Sequence, residues 1–122
     1  MLSPLDVIWI HDAFIRPPGP KMAVCICPKN GLFFRINTEG KWPVSVFLPV
    51  RMNSFLHHDS HLQCGQPSEL DDYVIERSIE DKGIIGKVNA AHLTDICNAI
   101  SRNTVSIRKE DKVLLRAALG CP

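Results

Sequence analysis

Residues 55–64 read FLHHDSHLQC and hold three of the five histidines of this chain, together with an aspartate, a serine and a cysteine. Imidazole changes its charge near neutral pH, so histidines this close together can serve as a general base and a general acid. Cleavage of RNA without a metal needs both groups, and it also needs a cation that holds the phosphate. The residues that could supply this chemistry are Lys21, Arg51, His58, Asp59 and His61, with His57 as a further imidazole. The alternative is a polar loop between two strands whose histidines are simply solvated.

A zinc site is a second interpretation of the same segment. Imidazole nitrogens, the Asp59 carboxylate and the Cys64 thiolate are donors that zinc accepts in tetrahedral sites. The spacing matches none of the standard zinc signatures, and a fourth ligand would have to come from Cys25, Cys27 or His11. We therefore assign no metal ligand and no cofactor from the sequence.

The composition is that of an ordinary soluble domain. The chain has 122 residues, of which 45% are hydrophobic and 22% are charged, and its formal net charge is +1. These values predict one domain over residues 1–122 and exclude a fibrous or largely disordered chain. They give no global positive charge that would attract nucleic acid.

The expected location follows from the N-terminus and the hydropathy. The first residues lack the basic start of a signal peptide, and no apolar stretch is long enough for a bilayer. We expect a cytoplasmic protein without membrane contact, and its five cysteines should then all be free thiols.

Hydrophobic patterning predicts a mainly β fold. Strands are expected at residues 5–10, 22–27, 32–37, 44–50, 73–79 and 83–88. The Asn30-Gly31 pair predicts a hairpin between the second and third strands, because such turns need positive φ. A proline-rich connector at residues 16–20 separates the first two strands, and a long polar connection at 65–72 follows the histidines. Four short strands without intervening helices predict a small curled sheet or barrel.

Helices are expected only in the last third of the chain. One helical face is formed by Leu93, Ile96, Cys97 and Ile100. Asn89 is placed as the N-cap of this helix. A second helix forms a C-terminal extension over about residues 104–120, with Ser106 as its expected cap and Gly120 just past its end.

Isolated side chains outside the histidine segment have simple expected positions. Cys25 and Cys27 are two residues apart on a predicted strand, so both thiols should lie on the same face, in the core. His11 and His92 are expected at the surface. Trp42 lies in a Gly-Lys-Trp-Pro turn and should be exposed, where its ring could stack on a base.

The expected elements also follow one another in a recognisable order. A strand DVIWI, a loop with prolines and a glycine, an apolar strand with its hairpin, a strand ending in a proline and the late run GKVNAAHLTDICNAI occupy residues 5–103. In this order the chain resembles the MazF/PemK-like toxin family, and His58-Asp59-Ser60 with the final helix resembles a divergent, phage-associated branch. The resemblance implies an SH3-like small β-barrel, commonly a homodimer, that cuts single-stranded RNA without metal and can have an antitoxin-like partner.

The resemblance also points to two motif positions. Toxins of this family carry an arginine-proline pair at the start of the second long strand and a threonine or serine at the end of a later one. Here Lys21 takes the place of the arginine, and no hydroxyl follows Leu48 until Ser54. Ser54 and Ser60, with Trp42, are candidate substrate contacts.

The two departures from the family motif leave three functions open. A lysine cannot make the planar, two-bonded phosphate contact of an arginine, so the inherited cleavage chemistry is not assured by position alone. The chain can be a toxin-type endoribonuclease or a non-enzymatic module of the same fold that binds RNA or protein. A zinc-binding protein is the third possibility.

Overall fold

The computed structural model describes residues 1–12, 18–103 and 106–122, and only the backbone of Asp12. Its strands are β1 (Asp6–Asp12), β2 (Gly19–Cys27), β3 (Leu32–Asn37), β4 (Ser45–Leu48), β5 (Ser60–Glu69) and β6 (Gly86–Lys87). Its α-helices are α1 (Asp72–Lys82), α2 (Leu93–Arg102) and α3 (Lys109–Leu119). The expected connector at 16–20 lies partly outside the described residues, and its last two residues belong to β2.

The strands form one antiparallel sheet in the order β4-β5-β3-β2-β1-β6. The sheet curls into a half-barrel, which confirms the expected mainly β fold with C-terminal helices. The hairpin between β2 and β3 turns at Gly31, whose φ is 65° and where a Cβ would strike the carbonyl oxygen of Leu70. The hairpin predicted from Asn30-Gly31 is therefore confirmed.

The inner face of the sheet, which carries Val24, Phe34 and Leu62, holds the larger core. These three side chains are fully buried, as is Leu115 of α3 in the same cluster. α2 packs against β4 and β5, and α3 packs against β2. Helices, rather than further strands, therefore cover the inner face.

Among the described elements, α1 covers part of the outer face of the sheet. Ile75 and Ile79 of this helix pack on a smaller core that contains Ile8, Cys25 and Phe33. Cys27 belongs instead to the inner core, because the register of β2 shifts between the two cysteines. The prediction that both thiols share one face is wrong, since a β-bulge reverses the alternation of side chains.

The predicted polar connection at 65–72 is wrong for most of its length, because β5 continues to Glu69. Arg35 pairs with Gln63 and Phe33 pairs with Ser68, so the residues between Gln63 and Ser68 include a bulge. The bulge accommodates a glycine and a proline that normally interrupt a strand.

The predicted strand at 73–79 is also wrong, because these residues lie in α1. The side chain of Asp71 accepts a hydrogen bond from the backbone N–H of Val74 at 2.9 Å and caps the helix. Ile75 and Ile79 are four residues apart and therefore meet the outer core from one helical face. Helices are thus not confined to the last third, and the strand expected at 83–88 is reduced to β6.

The caps of the last two helices agree only in part with the sequence. Asn89 accepts a hydrogen bond from the N–H of Ala91 at 2.9 Å, but it caps a 3₁₀ turn over Ala90–His92 that leads into α2, and not α2 itself. Ser106 does not cap α3, because its hydroxyl donates to the carbonyl oxygen of Gly65 and the helix begins at Lys109. Gly120 ends α3 with a φ of 69°, as predicted.

A buried polar cluster joins the turn after β4 to the start of α2. Asn53 is 1% exposed, and its Nδ2 donates to the carbonyl oxygen of Pro49 at 3.0 Å and lies 3.1 Å from Nε2 of His92. Its Oδ1 accepts from the N–H of Asn89 at 2.9 Å. His92 is buried, so its predicted surface position is wrong; the hydrogen bond to Asn53 allows an imidazole there.

Cys97 and Cys121 form a disulfide that joins α2 to the end of α3, across 24 residues of sequence. The prediction of five free thiols is therefore wrong, because folding brings these two distant cysteines together. Cys25, Cys27 and Cys64 are free and buried. No helix in the described part of the chain has the length and apolar character needed to cross a membrane.

Candidate functional site

A cleft of about 210 Å³ lies where β2, β3 and the start of β5 meet. Its described lining residues are Trp9, Pro20, Lys21, Met22, Ile36, Thr38, His57, His58 and Ser60. Trp9 and Met22 are paired across β1 and β2, while Thr38 follows the last residue of β3. The sheet therefore brings two imidazoles, two hydroxyls and an indole ring to one depression, and Lys21 of β2 borders it.

The hydrogen bonds of His58 indicate which of its two ring nitrogens can act as a base. Its Nδ1 lies 3.1 Å from the carbonyl oxygen of Asp59 and 3.3 Å from the hydroxyl oxygen of Ser60. A carbonyl oxygen can only accept, so Nδ1 carries the proton in this arrangement. The Ser60 hydroxyl donates to the carbonyl oxygen of His58 at 3.1 Å, which agrees with that assignment. Nε2 is then the basic nitrogen of His58.

Two of the predicted catalytic residues have other surroundings. Oδ1 of Asp59 accepts a hydrogen bond from the N–H of Val50 at 2.8 Å, at the start of a 3₁₀ turn over Val50–Met52. This carboxylate therefore fixes the turn to the segment before β5. Arg51 lies in the same turn with an exposed side chain, and it is not among the described residues that line the cleft.

His61 lies on the outer face of the sheet, away from the cleft. It pairs with Phe47 of β4, and the two ring centroids are 5.4 Å apart with an angle of 47° between the planes. A Cβ at Gly40 would come within 2.7 Å of the His61 ring, so the turn after β3 lies directly against this side chain.

The predicted substrate contacts are also divided between places. Ser60 lines the cleft. Trp42 is 45% exposed, as predicted, and Nζ of Lys41 lies 5.5 Å from its ring centroid. Ser54 is exposed in the segment after the buried Asn53, outside the described lining of the cleft.

The cysteine of the zinc hypothesis points into the inner core. Cys64 is fully buried, its thiol donates to the carbonyl oxygen of Leu62 at 3.7 Å, and burial raises its pKa to about 12. His57 and His58 are exposed, so they do not share its environment. Among the described residues, no three His, Cys, Asp or Glu side chains are grouped to hold a metal ion.

Six of the nine described cleft residues are not among the predicted catalytic or substrate residues, and three of these six carry an aromatic or polar group that could contact a ligand. Trp9 was expected on a strand, Thr38 in a turn, and His57 only as a further imidazole. A period-two pattern puts Trp9 and Val7 on the same side of β1, but it does not show that this side opens into a cleft at one end. The position of Thr38 just beyond β3 is the signal that could have pointed to it.

A larger, shallower depression of about 890 Å³ adjoins the cleft and shares Trp9 and Pro20 with it. Its described rim combines Arg77 and Lys82 with Glu80 and Asp81 of α1. Because opposite charges are mixed there, it offers no net attraction for a phosphate. The smaller cleft carries the groups that could do chemistry.

The comparison with protein-family models gives no match to this chain, and the comparison with characterised proteins gives none either.

Proposed function

We propose that this protein is a divergent MazF/PemK-like protein that binds single-stranded RNA in the cleft and cleaves it without a metal. The supporting observation is that Lys21, His58 and Ser60 line one depression together with a second imidazole. A cation binds a phosphate, and two imidazoles can move the two protons of the reaction. The indole of Trp9 adds a surface on which a base can stack.

In the proposed reaction, Nε2 of His58 takes the proton from a ribose 2′-hydroxyl, and the 2′-oxygen attacks the phosphorus. The bond between phosphorus and the 5′-oxygen breaks, and protonated His57 gives a proton to that oxygen. The products are a 2′,3′-cyclic phosphate and a 5′-hydroxyl. Lys21 stabilises the negative charge that builds up on the phosphoryl oxygens.

A second function, binding without cleavage, is supported by the position of Asp59. Its carboxylate is hydrogen-bonded to the N–H of Val50, so a backbone carbonyl rather than a carboxylate faces Nδ1 of His58. A carbonyl orients the ring but stabilises an imidazolium less than a carboxylate does. The same cleft then serves an interaction module for RNA or protein.

The proposed family relation carries further proposals: an SH3-like fold identity, a homodimer, an antitoxin-like partner and a cytoplasmic location, the last of which the Cys97–Cys121 disulfide does not favour. Sedimentation of the purified protein tests the homodimer. Growth after induced expression, with and without the small open reading frame next to the gene, tests the antitoxin-like partner.

The cleavage proposal is tested with end-labelled single-stranded RNA in the presence of a chelator. We expect fragments that end in a 2′,3′-cyclic phosphate, and His58→Ala should lower the rate about 100- to 10,000-fold, the usual effect of losing a general base. His11→Ala is the matched control, because His11 is an exposed histidine of β1 outside the cleft.

The outcomes separate the two functions. Equal rates for His58→Ala and the wild type, with folding intact, would remove His58 from the mechanism. Intact RNA that is nevertheless bound, with binding weakened by Lys21→Gln, would favour the module without chemistry. RNA that is neither bound nor cut would refute both functions for RNA.

A further inference from the structure

Phe47 and His61 lie together on the outer face of the sheet, in the part that α1 does not cover, and the exposed Trp42 belongs to the turn that lies against His61. We call Trp42, Phe47 and His61 the aromatic patch. Phe47 is 51% exposed and Trp42 is 45% exposed. Such rings are usually covered by other apolar groups, and here about half of each residue remains open to solvent.

The strands fix the outward direction of this patch. Phe47 lies between Val46 and Leu48, which are buried in the inner core, so its own side chain faces the other way. His61 lies between Ser60 and Leu62 and is reversed for the same reason. The register places Phe47 directly opposite His61.

The turn after β3 is held against the same surface. Gly40 approaches the His61 ring so closely that a Cβ would not fit there. The carbonyl oxygen of Trp42 accepts a hydrogen bond from the Ser45 hydroxyl at 2.7 Å, which ties the turn to the first residue of β4. Lys41, 5.5 Å from the Trp42 ring centroid, adds a positive charge.

The surroundings of the patch are polar. Nδ2 of Asn37 on β3 donates to Oε1 of Gln63 at 3.0 Å, and Gln63 lies on β5, the strand that pairs with Phe47's strand β4. The exposed large aliphatic residues of the described chain, such as Ile84 and Val113, lie outside β4, β5 and the turn. The core of a protein interface is a continuous apolar area, whereas rings interspersed with polar groups and a cation are typical of surfaces that stack nucleobases.

The cleft and the patch lie at the same end of the sheet, on its two opposite faces. Ser60 lines the cleft and His61 belongs to the patch, although they are consecutive residues of β5. Likewise, Thr38 lines the cleft and directly follows Asn37, which pairs with His61. An RNA bound in the cleft therefore reaches the patch by passing around this end of the sheet, where β3 ends and β5 begins.

We propose that the aromatic patch is a stacking platform for the bases of single-stranded RNA whose backbone lies in the cleft. The inference rests on the proposed function, since it names the surface that holds the bases of the same ligand. It assigns to His61 a role in base binding that is separate from proton transfer in the cleft.

The test uses a 2′-O-methyl single-stranded RNA of about ten nucleotides, a length within the site sizes of small barrels. This probe lacks the 2′-hydroxyl nucleophile and is not cut. Two-dimensional NMR of side-chain signals should show shifts of the Phe47 and His61 rings, for the patch, and of His58, for the cleft. Phe47→Ala should weaken binding about 5- to 150-fold, the range for loss of one stacked base.

Matched variants complete the design. Phe47→Trp keeps a flat ring and should retain most of the affinity. Tyr73→Ala removes another exposed aromatic ring, on α1, and should leave the affinity unchanged. An oligomer of the same length without bases keeps the phosphates, and Phe47→Ala should not alter its binding.

Each outcome decides one of the two proposals. Shifts of the patch alone would support the platform and overturn the cleft, whereas shifts of His58 alone would overturn the platform. Absence of both sets of shifts overturns both. If Phe47→Ala converts a dimer into a monomer and leaves RNA binding unchanged, the patch is a contact between copies of the chain and the platform is overturned.

Discussion

Replacement of Asn53 by alanine should lower the free energy of unfolding by about 3 kcal/mol. The side chain is buried and supplies three hydrogen bonds, to the carbonyl oxygen of Pro49, to Nε2 of His92 and from the N–H of Asn89. A buried polar group left without a partner costs about 1–3 kcal/mol. Pro49 and His92 are buried, whereas Asn89 is only half-buried and can turn to water. The buried partners Pro49 and His92 each lose a hydrogen bond at a cost of about 2 kcal/mol, the middle of that range. Local relaxation lowers their sum of about 4 kcal/mol to the expected loss of about 3 kcal/mol.

Urea denaturation followed by circular dichroism measures this loss, and for 122 residues it corresponds to a fall in Tm of about 12 °C. Asn98→Ala is the matched control, because Asn98 is exposed on α2 and its replacement should change stability by less than about 0.5 kcal/mol. Asn53→Asp should be worse than Asn53→Ala, since it sets a carboxylate oxygen against the carbonyl oxygen of Pro49.

A loss below about 1 kcal/mol for Asn53→Ala would refute this reasoning, because it would mean that water replaces the lost hydrogen bonds. The double-mutant cycle with His92→Ala gives an independent check. Two residues in direct contact within one network should show a coupling energy of about 0.5–3 kcal/mol. A coupling energy of zero would show that the two side chains do not interact in solution.

Two further predictions concern the cysteines. Cys121→Ser, which opens a disulfide across 24 residues, should lower stability by about 3.5 kcal/mol in the loop-entropy treatment, and a reductant should have the same effect on the wild type but none on the variant. The Cys64 thiol, whose pKa is raised from 9.0 to about 12 by burial, should not react with iodoacetamide at pH 8 until the protein unfolds. The pKa of the Cys64 thiol is higher in the folded protein than in the unfolded chain. The contribution of this thiol to the free energy of unfolding is therefore complete below pH 9 and falls as the pH rises toward 12. Urea midpoints of the wild type should decrease over that interval, and those of Cys64→Ala should decrease less. Rapid labelling of the native Cys64 thiol, or equal midpoint shifts in both proteins, would contradict the burial argument.

The first half of the sheet could be predicted from the sequence because its signals are local. β3 spans the predicted residues, and the turn at Gly31 depends on a conformation that glycine adopts easily. β5 and α1 could not be predicted in the same way. A bulge admits the glycine and proline of β5, and α1 is decided by a packing surface on β1 and β2 that the sequence of the helix does not contain.

The candidate site could be predicted from the sequence only in part, because it also depends on contacts between distant residues. The sequence names Lys21, His58 and Ser60, which the structure places along one cleft, but it also predicts Asp59 and His61 beside them, and these two lie elsewhere. Consecutive residues of a strand face opposite sides, so the first residue of β5 decides that Ser60 enters the cleft and His61 leaves it. The N–H of Val50, which holds the Asp59 carboxylate, comes from nine residues earlier, and only the folded chain brings the two groups together.

The burial of Leu115 in the inner core has a consequence for how this domain can be divided. Ile107 and Leu115 share that core with the strands, and the bulge in β5 offers the carbonyl oxygen of Gly65 to the Asn103 side chain at 2.8 Å. The helical extension is therefore not an optional attachment to a finished barrel. A protein shortened by removal of this extension would expose the apolar inner face of its sheet. The strands and the last two helices must therefore be kept together in any expressed fragment or fusion.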